Sequence, residues 1–149
     1  MKKLKVGIAG FGVVGNRRKD YIDLNPDLEV VAVCDKNYKE NNKLEDGIEC
    51  FPDYSSLLAN DIDIDIVFVC MSNDVAAEVT IAALESGKHV FCEKPPARSL
   101  EEMHKVMKCE QKHPELKLMY GFNHRYHDSV KKALSVLHTK ELGKVLNIR

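Results

Sequence analysis

Three glycines near the start of the chain have the spacing of a phosphate-binding turn. Gly10, Gly12 and Gly15 fit G-x-G-x-x-G within the segment GIAGFGVVG, and Asp35 follows Gly15 by 20 residues. In such a turn the first glycine permits a tight bend and the second lets the backbone approach a pyrophosphate. The third lets the next helix lie close to the strand. The alternative is an ordinary glycine-rich turn with an incidental acid, but the spacing of the acid favours a dinucleotide.

Asp35 bears on which dinucleotide would bind. Its carboxylate would accept hydrogen bonds from the adenosine ribose hydroxyls, and its charge would repel the extra phosphate of NADP. Lys36, the next residue, could pair with that phosphate and so works in the opposite direction. The sequence therefore favours NAD over NADP as the cofactor.

A second group with chemical potential is Glu93-Lys94-Pro95, within the segment GKHVFCEKPP (87–96). It follows an apolar run that is typical of a strand, and ligands of parallel sheets lie beyond the carboxyl ends of the strands. A lysine there could orient a substrate hydroxyl or serve in proton transfer. Pro95 sets a rigid bend and allows a cis peptide bond. The alternative is a surface Glu–Lys pair before a proline turn.

Alternating strand and helix patterns must position these groups. We predict helices after Gly12 and from Ser99, where Glu102 completes a capping box, with Ser72, Asn73 and Asp74 capping another. The predicted strands are 5–9, 28–34, 48–51, 64–70, 88–92, 116–120 and 144–149; the further helices are 54–59, 75–85 and 128–138, and 37–47 forms at most a short helix. This order predicts an α/β, Rossmann-type doubly wound, mostly parallel sheet with helices on both faces.

The composition excludes several classes of partner. The chain has 149 residues, the size of one domain, and a formal net charge of -1, which gives no general attraction to nucleic acid or to a membrane surface. The basic run at 17–19 is interpreted as a solvated helix face. Five cysteines without C-x-x-C spacing indicate reduced thiols in a cytoplasmic protein. His124 and His127 lack partners that we can place, so we expect no metal.

Five segments occur in an order that resembles a known family. They are GIAGFGVVG, CD at 34–35, VFVCMSND, ALESGKHVFCEKPPARSLEE and GFNHRY. The chain resembles the N-terminal NAD(P)-binding domain of the glucose-fructose oxidoreductase, inositol dehydrogenase and MocA family over nearly its whole length. The resemblance implies an NAD-dependent dehydrogenase acting on a CH–OH group of a sugar, sugar nucleotide or inositol-like compound. The cofactor would supply the hydride chemistry, and the protein would supply position and electrostatics.

The resemblance also implies roles for individual residues. Lys94 would be the catalytic lysine that engages the substrate hydroxyl, and Glu93 would help to hold the nicotinamide ribose. His124 and His127, with Asp128, could contact substrate, although the start of a helix is the simpler interpretation. The residues expected to bind cofactor are Gly10, Phe11, Gly12, Val13, Val14, Gly15, Asp35, Lys36, Cys70, Met71, Ser72, Asn73, Glu93, Lys94, Asn123 and Arg125.

The length of the chain departs from the family pattern. Family enzymes carry a C-terminal α/β domain of similar or greater size, which covers the nicotinamide. We expect residues 1–142 to form the dinucleotide-binding domain and residues 143–149 to begin a substrate domain that is otherwise absent. The full-length protein would act on a small molecule and could be a homo-oligomer, whereas residues 1–149 alone should show no turnover. A stand-alone dinucleotide-binding or regulatory module without turnover is the alternative.

Overall fold

The computed structural model describes residues 2–147. Its centre is a seven-stranded sheet in the order β3-β4-β2-β1-β5-β6-β7, in which β3 alone is antiparallel to its neighbour. The elements in chain order are β1 Leu4–Ala9, α1 Val13–Asp23, β2 Leu28–Cys34, β3 Asn42–Lys43, β4 Glu49–Phe51, α2 Tyr54–Ala59, β5 Ile66–Val69, α3 Ala76–Glu85, β6 His89–Cys92, α4 Leu100–Glu110, β7 Leu118–Tyr120, a 3₁₀ turn Asn123–Tyr126 and α5 Asp128–Thr139. The predicted Rossmann-type α/β class is confirmed.

Helices cover both faces of the sheet because successive strand residues point in opposite directions. Val6 and Ile8 of β1 pack in one core layer with Ile22 of α1. Ala9 and Val67 pack in the other layer, which also contains residues of α2, α3 and α4. The central strands are thus buried on both sides, which explains their nearly continuous apolar sequences. In the described part of the chain, no helix combines the length and apolar character that crossing a membrane requires.

For residues 37–47 we expect at most a short helix, and the structure has no helix there. The segment contains β3, which turns back onto β4 as a short hairpin. Gly47 adopts a φ of +88° at the turn, and its N–H donates to the carbonyl of Leu44 at 2.9 Å. Asp46-Gly47 is a common hairpin-turn dipeptide, so the signal was present in the sequence.

The predicted cap of α3 also differs from the structure. Val75 is the N-cap of this helix, and its side chain makes no capping hydrogen bond. Ser72 contributes its backbone carbonyl instead, which accepts from the N–H groups of Val75 at 3.2 Å and Ala76 at 3.1 Å. By contrast, Ser99 caps α4 through its hydroxyl as predicted.

The predicted strand over 144–149 is wrong for residues 144–147, and residues 148–149 lie outside the described residues. Residues 144–147 are exposed and do not pair with a strand of the described chain. Leu146 has 92% of its surface exposed. The apolar pattern alone cannot form a strand here because a strand needs a neighbour to pair with.

Candidate functional site

The carboxyl ends of five parallel strands meet at one edge of the sheet. The chain leaves them at Gly10, Asp35, Cys70, Glu93 and Gly121, and the N–H of each donates to a carbonyl of an adjacent strand over 2.7–3.1 Å. These hydrogen bonds extend the pairing of the sheet by one residue beyond each strand, and so they fix where each loop begins. The glycine turn, the acid after β2 and the Glu-Lys pair therefore share one edge.

Each glycine of the turn has a different environment. Gly10 has a φ of +94°, and a Cβ there would lie 2.8 Å from the carbonyl oxygen of Cys70. A Cβ on Gly15 would collide with the carbonyl oxygen of Gly10. A Cβ on Gly12 would meet no described atom within 4 Å, so the backbone is open to an approaching group there. This geometry agrees with the three roles expected of the motif.

Asn16, which the sequence analysis missed, braces the glycine turn. Its side-chain amide donates to the carbonyls of Phe11 and Gly12, both at 2.9 Å. Helix α1, which includes Asn16, has no acidic residue in its first turn. No carboxylate in that turn therefore neutralises the positive end of the helix dipole. An asparagine directly after the third glycine is the signal that could have pointed to this brace.

The first of three clefts at this edge lies across the ends of β2, β1 and β5, and its volume is about 460 Å³. That volume is in the range of small-molecule sites. Its lining comprises Gly10, Gly12, Asp35, Lys36, Cys70, Met71 and Ser72, which were predicted, together with Asp74 and Val75, which were not. Asp35 is oriented by the backbone N–H of Asn37, which donates to Oδ1 at 3.0 Å.

Cys70 and Asp74 give the lining of this cleft two different chemical characters, one neutral and one acidic. Burial raises the pKa of the Cys70 thiol to about 12, so it presents a neutral surface at physiological pH. A hydrogen bond with Ser72 lowers the pKa of the Asp74 carboxyl. The cleft thus has a soft apolar side and an acidic rim.

Two further clefts surround the Glu-Lys pair and share Lys94 and Asn123. One, of about 450 Å³, lies between α1 and the end of β6 and is lined by Val14, Arg17, Arg18, Tyr21, Glu93, Lys94 and Asn123. The other, of about 530 Å³, is lined by Lys94, Gly121, Phe122, Asn123, His124 and Arg125. The Lys94–Pro95 peptide bond is cis. Lys94 therefore stands where the two clefts meet.

Arg18 is the main residue of the site that sequence reasoning missed. Its Nε donates to Oε1 of Glu93, and its Nη2 forms an ion pair with the same oxygen. The interpretation of 17–19 as a solvated face is wrong for Arg18 and Lys19, whose side chains are only 20% and 21% exposed. It is wrong because helical rotation turns Arg18 toward the sheet while Arg17 stays exposed.

Four predicted cofactor residues line none of these three clefts. Gly15 is buried, Phe11 packs against the core on the α1 side, and Val13 and Asn73 are exposed. His124 and His127 stack with ring centroids 4.9 Å apart. Within residues 2–147 there is no group of three or more side chains arranged to hold a metal ion.

Residues 4–122 match the family described as "Oxidoreductase family, NAD-binding Rossmann fold", abbreviated GFO/IDH/MocA. The chain belongs to this family. The inositol 2-dehydrogenase of Salmonella typhimurium (strain LT2) is 32% identical over 150 residues, covering 97% of this chain and 44% of that protein. The D-glucoside 3-dehydrogenase of Escherichia coli (strain K12) is 35% identical over 127 residues, covering 83% and 36%.

A solved structure of the family resembles the whole fold. Scyllo-inositol dehydrogenase from Lactobacillus casei, with bound NAD(H) and scyllo-inositol, superposes with a TM-score of 0.83 and 27% identity. The match covers 96% of this chain and 43% of that one. The chain thus spans less than half the length of the curated relatives and solved structures that it matches.

Proposed function

We propose that this chain is the NAD-binding domain of an oxidoreductase that transfers hydride from or to a CH–OH group of an inositol, sugar or sugar nucleotide. The observation that carries the proposal is the shared sheet edge. It brings an open glycine turn, an oriented Asp35 and the Glu93-Lys94 pair into adjoining clefts. The relatives named for inositol and glucoside oxidation support the substrate class.

In the first cleft, the pyrophosphate lies over Gly12 at the N-terminus of α1, where unpaired N–H groups and the helix dipole favour negative charge. Asp35 accepts hydrogen bonds from the adenosine ribose, and its charge disfavours the phosphate of NADP. Cys70 and Met71 form the apolar wall beside the cofactor. The preference for NAD therefore depends chiefly on Asp35, with Lys36 opposing it.

In the other clefts, Glu93 holds the nicotinamide ribose and Lys94 engages the substrate hydroxyl. Lys94 is suited to this role because it lines both the cleft beside Glu93 and the cleft that contains Asn123 and Arg125. The bound cofactor supplies the hydride chemistry, while these residues orient the reacting groups.

We also propose that residues 1–142 act together with a second, C-terminal α/β domain that begins near residue 143. α5 supports this division because none of its residues is buried. Leu134 and Leu137 are 45% and 40% exposed on an amphipathic helix. Such a face normally packs against another element. Residues 1–149 alone should therefore bind cofactor without turnover.

We infer a cytoplasmic location from the thiols, and we propose a small-molecule substrate because the relatives are named for inositol and glucoside. All five cysteines are free and four of them are buried, an arrangement suited to a reducing compartment. The formal net charge of -1 offers no general attraction to nucleic acid or a membrane surface.

Calorimetric titration with NAD⁺ and NADP⁺ tests the cofactor proposal. NAD⁺ should bind with measurable heat and more tightly than NADP⁺. Asp35→Ala should weaken NAD⁺ binding and reduce the difference in affinity between NAD⁺ and NADP⁺. Asp61→Ala is the matched control, because it removes the same charge from an exposed residue before β5. The absence of binding heat with both cofactors would contradict the proposal.

A further inference from the structure

An ion pair that no motif predicts joins α1 to the end of β6. Nε of Arg18 donates to Oε1 of Glu93, and Nη2 forms an ion pair with the same oxygen. The two side chains are only 20% and 11% exposed, so water screens the pair weakly. Charge-assisted hydrogen bonds in such surroundings are among the stronger polar contacts in proteins. The helix that begins at the glycine turn is thus tied to the Glu-Lys element.

Arg18 is itself held in place by aromatic rings. Its guanidinium carbon lies 5.2 Å from the centroid of Phe91. Phe91 stacks on Phe68 with the ring centroids 4.8 Å apart. A guanidinium over an aromatic face is attracted by the ring electrons, and stacking limits its orientation. Glu93 therefore receives its hydrogen bond from a donor in a defined position.

Glu93 is confined from the opposite side by Gly121. A Cβ on Gly121 would lie 2.9 Å from Oε2 of Glu93, closer than real Cβ contacts allow. The missing side chain at 121 thus makes room for the second carboxylate oxygen. Oε1 is committed to Arg18, whereas Oε2 lies beside the chain segment that leads to Asn123 and the cleft.

We propose that Arg18 is a positioning residue for the nicotinamide half of the cofactor and that it acts through Glu93. The proposal rests on the proposed function, in which Glu93 binds the nicotinamide ribose. Arg18 fixes the direction of the carboxylate and leaves one oxygen for the ribose hydroxyls. It also balances a negative charge that would otherwise stand close to the cofactor's phosphates.

The test compares NAD⁺ with ADP, which carries the adenosine and pyrophosphate but lacks the nicotinamide ribose. Both are titrated calorimetrically into the chain of residues 1–149. Arg18→Met keeps a similar side-chain length and removes the donors, so NAD⁺ affinity should fall by about tenfold or more. ADP affinity should change by no more than about twofold. Lys108→Met, at an exposed position of α4 that lines none of the three clefts, removes one positive charge and should affect both ligands little.

A double-mutant comparison separates positioning from a general structural role. Glu93→Gln should weaken NAD⁺ binding by itself, and adding Arg18→Met should then have no further effect on NAD⁺. Arg18→Lys keeps the charge without the planar fork and should restore part of the affinity. If circular dichroism shows that Arg18→Met does not fold, Arg18→Lys and Arg18→Gln are compared in the same two backgrounds.

The outcomes are distinct from those that test the proposed function. If the unmodified chain binds neither NAD⁺ nor ADP, the proposed function itself fails. If it binds both, and Arg18→Met weakens both equally or neither, the inference about Arg18 is overturned. Persistence of the Arg18→Met effect in the Glu93→Gln background overturns it as well.

Discussion

Replacing Gly12 with alanine should weaken NAD⁺ binding while leaving the fold intact. The added Cβ would meet no described atom within 4 Å, and Gly12 has a φ of -79°, which alanine adopts without strain. Alanine is a poorer N-cap than glycine, but it also loses less backbone entropy on folding. These opposing effects leave the free energy of unfolding within about 1 kcal/mol of the original.

The cost to binding follows from the same open space. A phosphate oxygen must approach a loop N–H to within about 3 Å, and a methyl group directed into that space keeps it farther away. Losing one hydrogen bond to a charged group costs about 1.5–3 kcal/mol, or roughly a tenfold to hundredfold rise in Kd. Calorimetric titration with NAD⁺ measures this rise, and thermal unfolding followed by circular dichroism measures stability.

Gly15→Ala is the control for a glycine substitution in the same turn that does disturb the fold. Its Cβ would collide with the carbonyl oxygen of Gly10. It should cost about 1–3 kcal/mol of stability. That loss lowers Tm by several degrees for a chain of this size. Equal NAD⁺ affinity in Gly12→Ala and the original chain would refute the placement of the pyrophosphate over Gly12. A large loss of stability in Gly12→Ala would refute the open geometry.

Two further predictions concern stability. Leu57→Ala should lower the free energy of unfolding in urea by about 2–5 kcal/mol because Leu57 is fully buried. The exposed Leu100→Ala should cost less than about 0.5 kcal/mol, and similar losses would contradict the core assignment. Burial raises the pKa of Cys34 from 9.0 to about 12, so the native state holds this proton more tightly than the unfolded state. Its contribution is complete well below pH 9 and is lost as pH rises toward 12, by about 1 kcal/mol at pH 10. Cys34→Ala should show a shallower alkaline decline in urea unfolding measured from pH 8 to 10, and an unchanged slope would oppose this assignment.

Elements with a strong local pattern were predictable from sequence. β2 and α2 have the predicted bounds of Leu28–Cys34 and Tyr54–Ala59. In β2 the signal is a β-branched apolar run that only burial on both faces explains. β3 was missed because two polar residues, Asn42–Lys43, are too few to show any periodicity. Its turn dipeptide was the stronger clue.

The glycine turn was also predictable, because its three glycines lie within a few residues of one another and follow a known spacing. The Arg18–Glu93 pair was not, since the partners are 75 residues apart. No rule of sequence spacing specifies which side of α1 faces β6. That relation depends on the sheet order, which places β5 beside β1 and β6 beside β5.

The first helix nevertheless contained a clue to Arg18. Val14, Arg18 and Tyr21 follow the spacing i, i+4 and i+7, which places them along one stripe of a helix. All three line the cleft beside Glu93. A cation between two apolar positions on one stripe favours a paired charge over a solvated one. A stripe that includes apolar residues normally faces the protein, where an unpaired charge is costly. Arg17 lies about 100° away around the helix and is exposed, whereas Lys19 pairs with Asp23 and Asp46. This basic run therefore contains one exposed residue and two paired ones. A run of charged residues on a helix is therefore better interpreted from the helix face that each residue occupies than from the composition of the run.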